Sequence, residues 1–349
     1  MTEELKEKYD ALLITSDSNR FYQTGMHSSF GCVVLFVKDG KKYFFTDFRY
    51  GIAARQKAEG CEVVIVTSDD LWSKVSDVLS SRDARVVGFE DRMMSVAAHK
   101  ALKKELKSFE LKAIGDELDR LRMCKTEKEL AAIKKAQSVT EEALAAVLPL
   151  LKAGITEKDV SAELTYRFLK AGADGLAFDN IVSFGDASAD CHHEPTDRKL
   201  ENTDIILFDI GTKWDGYCSD MTRTFCFGDP SKRMRDVYDL VLSAQNYVLK
   251  HLRAGMTGRE ADSLAREFFK ANGYDKEFGH SLGHGVGIDI HESPRLSQTN
   301  DEPLPENAVV TVEPGLYIDG FGGVRIEDMV VLKKDGIENL TNFPKNFII

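Results

Sequence analysis

The chain contains 349 residues, of which 43% are hydrophobic and 30% charged, and it carries a formal net charge of −11. Its length exceeds that of a usual single domain and predicts two domains, and its acidic balance argues against a nucleic-acid-binding surface. The charged N-terminal stretch MTEELKEKYD predicts no export signal, apolar runs such as CVVLFV are too short to cross a bilayer, and the six scattered cysteines predict free thiols in the cytoplasm.

The first part of the chain alternates short apolar segments with helical ones. Glycine and polar residues bound the apolar segments, which predicts strands over ALLIT, GCVVLFV, KYFFTD, CEVVIVT and ARVVGFE. Between them, FRYGIAARQKAEG and SVAAHKALKKELKS have helical patterns. The segment lacks the glycine-rich motifs of nucleotide sites. It therefore predicts an α/β domain, with a boundary between Leu111 and Lys125.

The second part begins with a helix and contains a repeated unit. Thr126 followed by Glu129 is a capping-box signature, and the helix is predicted to extend to Gly154. LKAGITEKDVSAELTYRFLKAG starts at Leu151 and LRAGMTGREADSLAREFFKANG starts at Leu252, 101 positions later. Two copies are too few for a solenoid and favour an internal duplication, with chance similarity as the alternative.

Two acids occur in the strands of a predicted hairpin. DIILFDIG and YCSDMTRTF flank the turn signal KWDG. A turn centred between Trp214 and Asp215 places Asp209 opposite Asp220. Directly opposed strand residues have Cβ atoms about 4.5–5.5 Å apart, where like charges are destabilising.

A second predicted hairpin repeats this arrangement. VVTVEPGLYI and VRIEDMVVL flank DGFGG, and a turn centred on Gly320 places Glu313 opposite Glu327. Carboxylates gathered in one core repel one another unless they are protonated or bridged by cations. The two hairpins therefore predict a divalent metal cluster. The alternative is that each acid is a satisfied structural carboxylate or lies on a solvated face.

Histidines follow in the glycine-rich stretch FGHSLGHGVGIDIHESPRL, which contains His280, His284 and His291. The glycines around His284 allow a close, irregular approach of the backbone. Although a lone histidine is more often a core or surface residue, this context makes His284 a candidate metal ligand.

The ordered set Asp209, Asp220, His284, Glu313 and Glu327 resembles the two-metal site of the pita-bread metallopeptidases. The segments GHGVGIDIHESP, EPGLYIDGFGGVRIED and FTDFRY resemble Xaa-Pro dipeptidases and aminopeptidases P more than methionine aminopeptidases. The resemblance covers essentially the whole chain.

This resemblance implies a fold. Residues 1–120 would form a creatinase-like α/β N-terminal domain that caps the substrate site and dimerises. Residues 121–349 would form an α+β pita-bread catalytic domain with an internal pseudo-twofold repeat and a curved antiparallel sheet. A homodimer is implied by the resemblance alone.

The resemblance also implies roles for individual residues. Asp209 would chelate one metal ion, His284 and Glu313 the other, and Asp220 and Glu327 would bridge both. Glu313 would also shuttle a proton from the nucleophile to the leaving amine. The implied pocket residues are His192, His280, His291, which could donate to the developing oxyanion, and Arg325, which would hold the substrate or support the ligands.

The chain departs from the family before the first pocket histidine. The family usually carries Asn-Ser-Ala-x-Pro-His, whereas this chain has ASADCH, with Ala187 in place of Asn and Cys191 in place of Pro. His193 follows His192 at once, which leaves open which of the two faces the pocket. The departure affects the prediction of substrate preference and leaves the metal ligands intact.

The function implied is hydrolysis of the Xaa-Pro bond at the N-terminus of dipeptides or short peptides, with no nucleic-acid or membrane partner. The ligand set suits two divalent ions, Mn²⁺ or Co²⁺ foremost and Zn²⁺ or Fe²⁺ as alternatives, which would lower the pKa of a shared water. The sequence leaves dipeptidase and aminopeptidase preference open. A metal-free creatinase-like hydrolase and a non-enzymatic binding module are the competing hypotheses, and the complete ligand set argues against both.

Overall fold

A computed structural model describes residues 3–349, which divide into one unit that ends at Arg122 and one that spans Met123–Ile349. Among the described residues, none of the helices combines the length and apolar character needed to cross a bilayer. The six cysteines all lie within this range and are free thiols, as predicted.

The first unit is built around a mixed sheet. Its strands, in the sheet order β4-β3-β2-β1-β5-β6, are β1 Ala11–Ile14, β2 Cys32–Phe36, β3 Lys42–Thr46, β4 Cys61–Ile65, β5 Val86–Phe89 and β6 Glu110–Ala113. The helices are α1 Glu3–Lys8, α2 Asp17–Thr24, α3 Gly51–Lys57, α4 Leu71–Ser81, α5 Val96–Glu105 and α6 Glu117–Met123. Strand β1 pairs antiparallel with β2 and parallel with β5. The predicted strands are all present, and the mostly exposed edge strand β6 was not predicted.

Both faces of this sheet are buried. Along β1, Ala11 and Leu13 belong to one hydrophobic cluster, whereas Leu12 and Ile14 belong to another. Successive side chains of a strand point to opposite faces, so an unbroken apolar run such as ALLI indicates a strand covered on both sides.

The second unit pairs helices with strands in two similar halves. Its helices are α7 Glu127–Val147, α8 Glu157–Lys170, α9 Lys232–His251 and α10 Gly258–Ala271, with 3₁₀ turns at Leu148–Leu150 and Gly185–Ala189. The strands of the first half are β7 Gly175–Leu176, β8 Ile181–Phe184, β9 Ile205–Ile210, β10 Thr212–Trp214, β11 Tyr217–Cys218 and β12 Met221–Cys226. Those of the second half are β13 Gly283–Gly285, β14 Glu292–Leu296, β15 Val309–Val312, β16 Gly315–Ile318, β17 Gly322–Arg325, β18 Asp328–Lys333 and β19 Gly336–Asn339.

Three of these helices begin with the same cap. Thr126, Thr156 and Thr257 each form a complete capping box with the acidic residue three positions later. The predicted extension of α7 to Gly154 is wrong, because the helix ends at Val147 and Pro149 lies in the following 3₁₀ turn. Proline is not accommodated in a helix interior, since it lacks the backbone N–H and clashes with the preceding turn.

The register predicted for the first hairpin is wrong by one residue at the turn. Trp214 pairs with Tyr217, so the turn is centred between Asp215 and Gly216. Both turn residues have positive φ, 47° and 77°, as a two-residue type I′ turn requires. As a result, Asp209 lies opposite Thr222 rather than Asp220.

The register predicted for the second hairpin is confirmed on both sides of its acids. Val312 pairs with Asp328, and Gly315 pairs with Arg325. Glu313 and Glu327 lie between these pairs, in the breaks that separate β15 from β16 and β17 from β18.

Candidate metal centre

The acids of the first hairpin lie at or beside a break in its strands. Asp209 is the penultimate residue of β9, and Asp220 lies in the gap between β11 and β12. The backbones approach closely at this break, where a Cβ added at Gly211 would collide with the carbonyl oxygen of Ser219. Only glycine fits such an approach, so the break is set by the sequence.

The second hairpin is interrupted in a different way. Pro314 follows Glu313 directly, between β15 and β16. Because proline has no backbone N–H, it cannot donate to the ladder at this position. The interruption leaves Glu313 outside the regular strand pairing.

The structure brings the predicted ligands together. Side-chain ligand atoms of Asp220, His284 and Glu327 all lie within 4.8 Å of one another. His284 Nε2 lies 3.6 Å from Asp220 Oδ2 and 3.4 Å from Glu313 Oε1. Asp209 is close enough for its charge to raise the pKa of the Asp220, Glu313 and Glu327 carboxyls.

The carboxyl groups of this cluster repel one another. Burial, and then the charges of Glu327, Asp209 and Glu313, raise the pKa of Asp220 well above its usual value. Burial and the same kind of repulsion raise the pKa of Glu327 well above its usual value. Burial raises the pKa of Glu313 to about 8. A cation among these groups would relieve both the desolvation and the repulsion.

The donor set fits divalent metal ions. Asp209 Oδ1 is buried and has no hydrogen-bond partner within residues 3–349, so one acceptor of the cluster is unsatisfied. His284 Nδ1 lies 3.1 Å from the carbonyl oxygen of Gly285, to which it must donate, and this leaves the Nε2 lone pair facing the carboxylates. Metal-binding histidines commonly donate their second ring nitrogen in this way.

The backbone of β13 is positioned by its glycines, as the sequence predicts. A Cβ added at Gly283 would collide with the carbonyl oxygen of Thr311, and one added at Gly285 would collide with that of Ser293. The close approach also brings the His284 amide to Thr311 Oγ1, to which it donates at 3.1 Å. Burial lowers the pKa of His284 to about 3, which keeps the ring neutral.

Arg325 joins the two hairpins beside the cluster. Its Nη2 donates to Asp209 Oδ2 at 2.7 Å, and its Nε donates to Thr222 Oγ1 at 2.9 Å. Thr222 Oγ1 in turn donates to Glu327 Oε2 at 2.6 Å. The remaining nitrogen of Arg325, Nη1, donates to the Tyr317 hydroxyl at 2.6 Å.

Sequence reasoning missed Thr222 and Tyr317. The signal for Thr222 is its position directly opposite Asp209, which becomes visible only with the correct turn. Tyr317 lies on β16, two residues beyond Gly315, and has no motif of its own.

The predicted pocket histidines have different environments. His280 is partly buried, with Nδ1 at 2.8 Å from the Ser281 carbonyl oxygen and Nε2 at 2.9 Å from the Tyr317 hydroxyl. Burial lowers its pKa to about 4. His291 is exposed, and its ring packs edge-on against that of His284 with centroids 4.2 Å apart.

His192 and His193 differ in their contacts. His192 is exposed. Burial and the charge of Arg295 lower the pKa of His291, and the charge of His192 adds to this effect. His193 instead places Nε2 2.9 Å from Glu157 Oε2. The His193 ring is thus engaged by Glu157, whereas the electrostatic influence on His291 comes from His192.

Comparison with known proteins identifies the family. Residues 131–334 match the model of metallopeptidase family M24, and residues 3–124 match the Creatinase/Prolidase N-terminal domain. The Xaa-Pro dipeptidase of Pyrococcus horikoshii is 32% identical over 98% of this chain and 95% of its own length.

Solved structures give the same result. The X-Pro aminopeptidase from Thermotoga maritima has 37% identity and a TM-score of 0.92 over 98% of both chains. The Xaa-Pro dipeptidase from Bacillus anthracis has 35% identity and a TM-score of 0.94 over 99% of this chain and 97% of its own. The expected pita-bread fold with a creatinase-like N-terminal domain is thereby confirmed, and the chain belongs to metallopeptidase family M24.

Proposed function

We propose that this metallopeptidase hydrolyses the bond preceding proline in short peptides and uses two divalent metal ions to do so. The observation that carries the proposal is the buried group of Asp220, His284 and Glu327, whose ligand atoms lie within 4.8 Å of one another, with Glu313 Oε1 3.4 Å from His284 Nε2. The half-buried Asp209 carries the nearby acceptor Oδ1, which finds no partner within residues 3–349. The Xaa-Pro specificity rests on the relatives named above.

The residues that would hold the ions are Asp209, Asp220, His284, Glu313 and Glu327. When bound, such ions lower the pKa of a water and polarise a carbonyl, and Mn²⁺ or Co²⁺ suits this oxygen-rich set with one imidazole. Asp220 and Glu327 are the buried acids of this set, so their carboxylates would bind the ions away from solvent.

The remaining groups act on the substrate and its protons. Glu313 is the more exposed of the acids next to His284, with 16% of its side chain accessible against 6% for Asp220. It would therefore carry a proton from the attacking water to the leaving nitrogen. His291, exposed beside His284, would donate to the oxygen on which charge develops. Arg325 would hold Asp209 in place through its 2.7 Å bond.

The test is removal of a central ligand. Asp220→Ala and Glu327→Ala should each lose bound metal, measured by elemental analysis, together with Ala-Pro hydrolysis. Asp215→Asn is the matched control, because Asp215 lies in the turn of the same hairpin and asparagine tolerates its positive φ.

Each competing hypothesis has its own outcome. Full turnover of Ala-Pro in excess chelator would contradict the metal requirement and favour a metal-free hydrolase. A protein that retains two equivalents of metal but cleaves no proline peptide would favour a binding module.

The position of Arg295 supports a preference of the enzyme for dipeptides over longer peptides. It lies opposite His284 in the β13–β14 pairing, so both side chains share one face of the sheet. Its side chain is exposed, no ion pair to it is found in the part of the chain described, and its charge lowers the pKa of His284 and His291. A guanidinium at this position would pair with the free carboxylate of a C-terminal proline.

The preference is tested by comparing Ala-Pro with Ala-Pro-Ala. Arg295→Gln should raise KM for Ala-Pro by about tenfold, the size expected for losing a charge-assisted hydrogen bond. The same change should leave Ala-Pro-Ala nearly unaffected. Equal effects on both peptides, or faster cleavage of the tripeptide by the parent protein, would favour aminopeptidase activity.

A further inference from the structure

The segment in which the chain departs from the family motif is attached by hydrogen bonds to the first residue of α8. We call residues 190–199 the pocket loop. It carries His192 and His193 between Asp190 and Glu194, and it runs past the start of α8. Three described hydrogen bonds of this loop converge on one buried carboxylate, that of Glu157.

Glu157 is the first residue of α8 and its side chain is fully buried. Its Oε2 accepts from His193 Nε2 at 2.9 Å and from the Thr196 amide and hydroxyl at 2.8 and 2.7 Å. Its Oε1 accepts from the amide of Phe184, the last residue of β8, at 2.8 Å. The carboxylate thus ties the loop to the helix and to the strand that pairs with β9.

The contact with Glu157 determines which ring nitrogen of His193 carries a proton. Burial alone would raise the pKa of Glu157, but hydrogen bonds from His193 and Thr196 outweigh it and lower the pKa. A carboxylate only accepts, so His193 Nε2 carries the proton in the bond. The helix N-terminus further favours the negative charge.

His192 is held from both sides. Its amide donates to Asp190 Oδ1 at 3.1 Å, and the amide of His193 donates to the Asp190 carbonyl oxygen at 3.2 Å. His193, the residue after His192, is in turn anchored to Glu157 by its own side chain. The exposed His192 therefore directly precedes the anchored His193, and its charge acts on His291, whose pKa it helps to lower.

We propose that His193 is a positioning residue that holds the pocket loop on Glu157 and thereby presents His192 to the substrate. The role of His192 rests on the proposed function, whereas the attachment of the loop does not. Because Glu157 keeps its three other donors when His193 is removed, the His193 variants are expected to fold.

The attachment is tested without activity by hydrogen exchange of the metal-free protein. His193→Ala should raise the exchange rate of the peptide covering residues 190–197 by about tenfold, since a buried anchor is lost. His193→Gln should retain slow exchange, because its amide can donate to Glu157. Lys158→Ala is the matched control, since it removes the exposed Lys158–Asp197 pair of the same loop and should change nothing.

The effect on His192 is tested by a double-mutant cycle on kcat/KM for Ala-Pro. His193→Ala should lower kcat/KM about tenfold in the parent and less than about twofold in His192→Ala, because residues acting through one another are not additive. His193→Gln should restore most of the loss.

The two levels of the proposal fail differently. Unchanged exchange in His193→Ala would overturn the attachment, whatever the activity of the parent protein. If His193→Ala changes hydrogen exchange but lowers kcat/KM equally in the parent and in His192→Ala, the positioning of His192 is overturned. A parent protein that does not cleave Ala-Pro would instead overturn the proposed function and, with it, the role of His192.

Discussion

At the scale of single residues, Thr222 shows how the candidate centre is held together. Its hydroxyl donates to Glu327 at 2.6 Å and accepts from Arg325 at 2.9 Å. Its carbonyl oxygen accepts from the Glu327 amide at 3.1 Å. Thr222 thus contacts Glu327 through both backbone and side chain, while Arg325 holds Asp209 on the other side.

Replacing Thr222 tests this support. Thr222→Val preserves shape but removes the hydroxyl, and it should weaken Mn²⁺ binding by about 10- to 100-fold, the usual effect of losing a hydrogen bond to a ligand. Thr222→Ser keeps the hydroxyl and should bind close to normally. Calorimetric titration with Mn²⁺ measures both, and a valine variant that binds as tightly as the parent would remove Thr222 from the centre.

At the scale of elements, strand alternation separates two polar networks. Thr222 and Glu327 face the candidate centre, whereas their neighbours Arg223 and Asp328 pair at 2.9 Å with both side chains buried. Lys345 adds a further bond to Asp328 at 2.6 Å. The same pair of strands therefore supports the centre and attaches the C-terminal segment.

The capping boxes of α8 and α10 offer a test of the repeated element. In the first, the Asp159 amide donates to Thr156 Oγ1 at 3.1 Å, and in the second, the Glu260 amide donates to Thr257 Oγ1 at 3.1 Å. Thr156→Ala and Thr257→Ala should each lower the free energy of unfolding by about 1 kcal/mol, because one helix N–H loses its acceptor.

Urea unfolding followed by circular dichroism measures these losses. Ser138→Ala, in the interior of α7, is the control and should be neutral or slightly stabilising, since alanine is the better helix former. Threonine variants as stable as the parent would show that tertiary packing alone defines the two helix starts.

At the scale of the whole molecule, metal binding should be linked to protons. The carboxyls of Asp220, Glu313 and Glu327 have raised pKa values in the metal-free protein, that of Glu313 about 8. Ligands must be deprotonated, so Mn²⁺ binding at pH 7 should release about one proton or more, and fewer as the pH rises. Titration in buffers of different ionisation enthalpy measures this number, and identical heats in all buffers would contradict it.

The raised pKa values of these carboxyls also determine how the stability of the metal-free protein changes with pH. A carboxyl whose pKa is higher in the folded than in the unfolded state binds its proton more tightly when folded. The unfolding free energy of the metal-free protein should therefore fall as the pH rises from the usual glutamate value of 4.5 towards 8. Saturating Mn²⁺ should remove this trend, which thermal unfolding across the pH range would reveal.

Local features of the sequence were sufficient for much of this structure. Strands β1–β5 of the first unit, the capping box at Thr126 and the register around Gly320 follow from hydrophobic period, cap residues and turn residues, all of which act over a few neighbouring positions. The candidate ligands were recognisable because acids are unusual in apolar strands.

Only the tertiary structure decided which side chains meet. The Asp-Gly signal at positions 215 and 216 sets the type I′ turn locally and places Thr222 opposite Asp209, but it leaves open which other side chains these two residues contact. The bond from Thr222 to Glu327 and the bond from His193 to Glu157 join residues far apart in the chain. Such contacts depend on which strands and helices become neighbours in space, and no local pattern in the sequence encodes that.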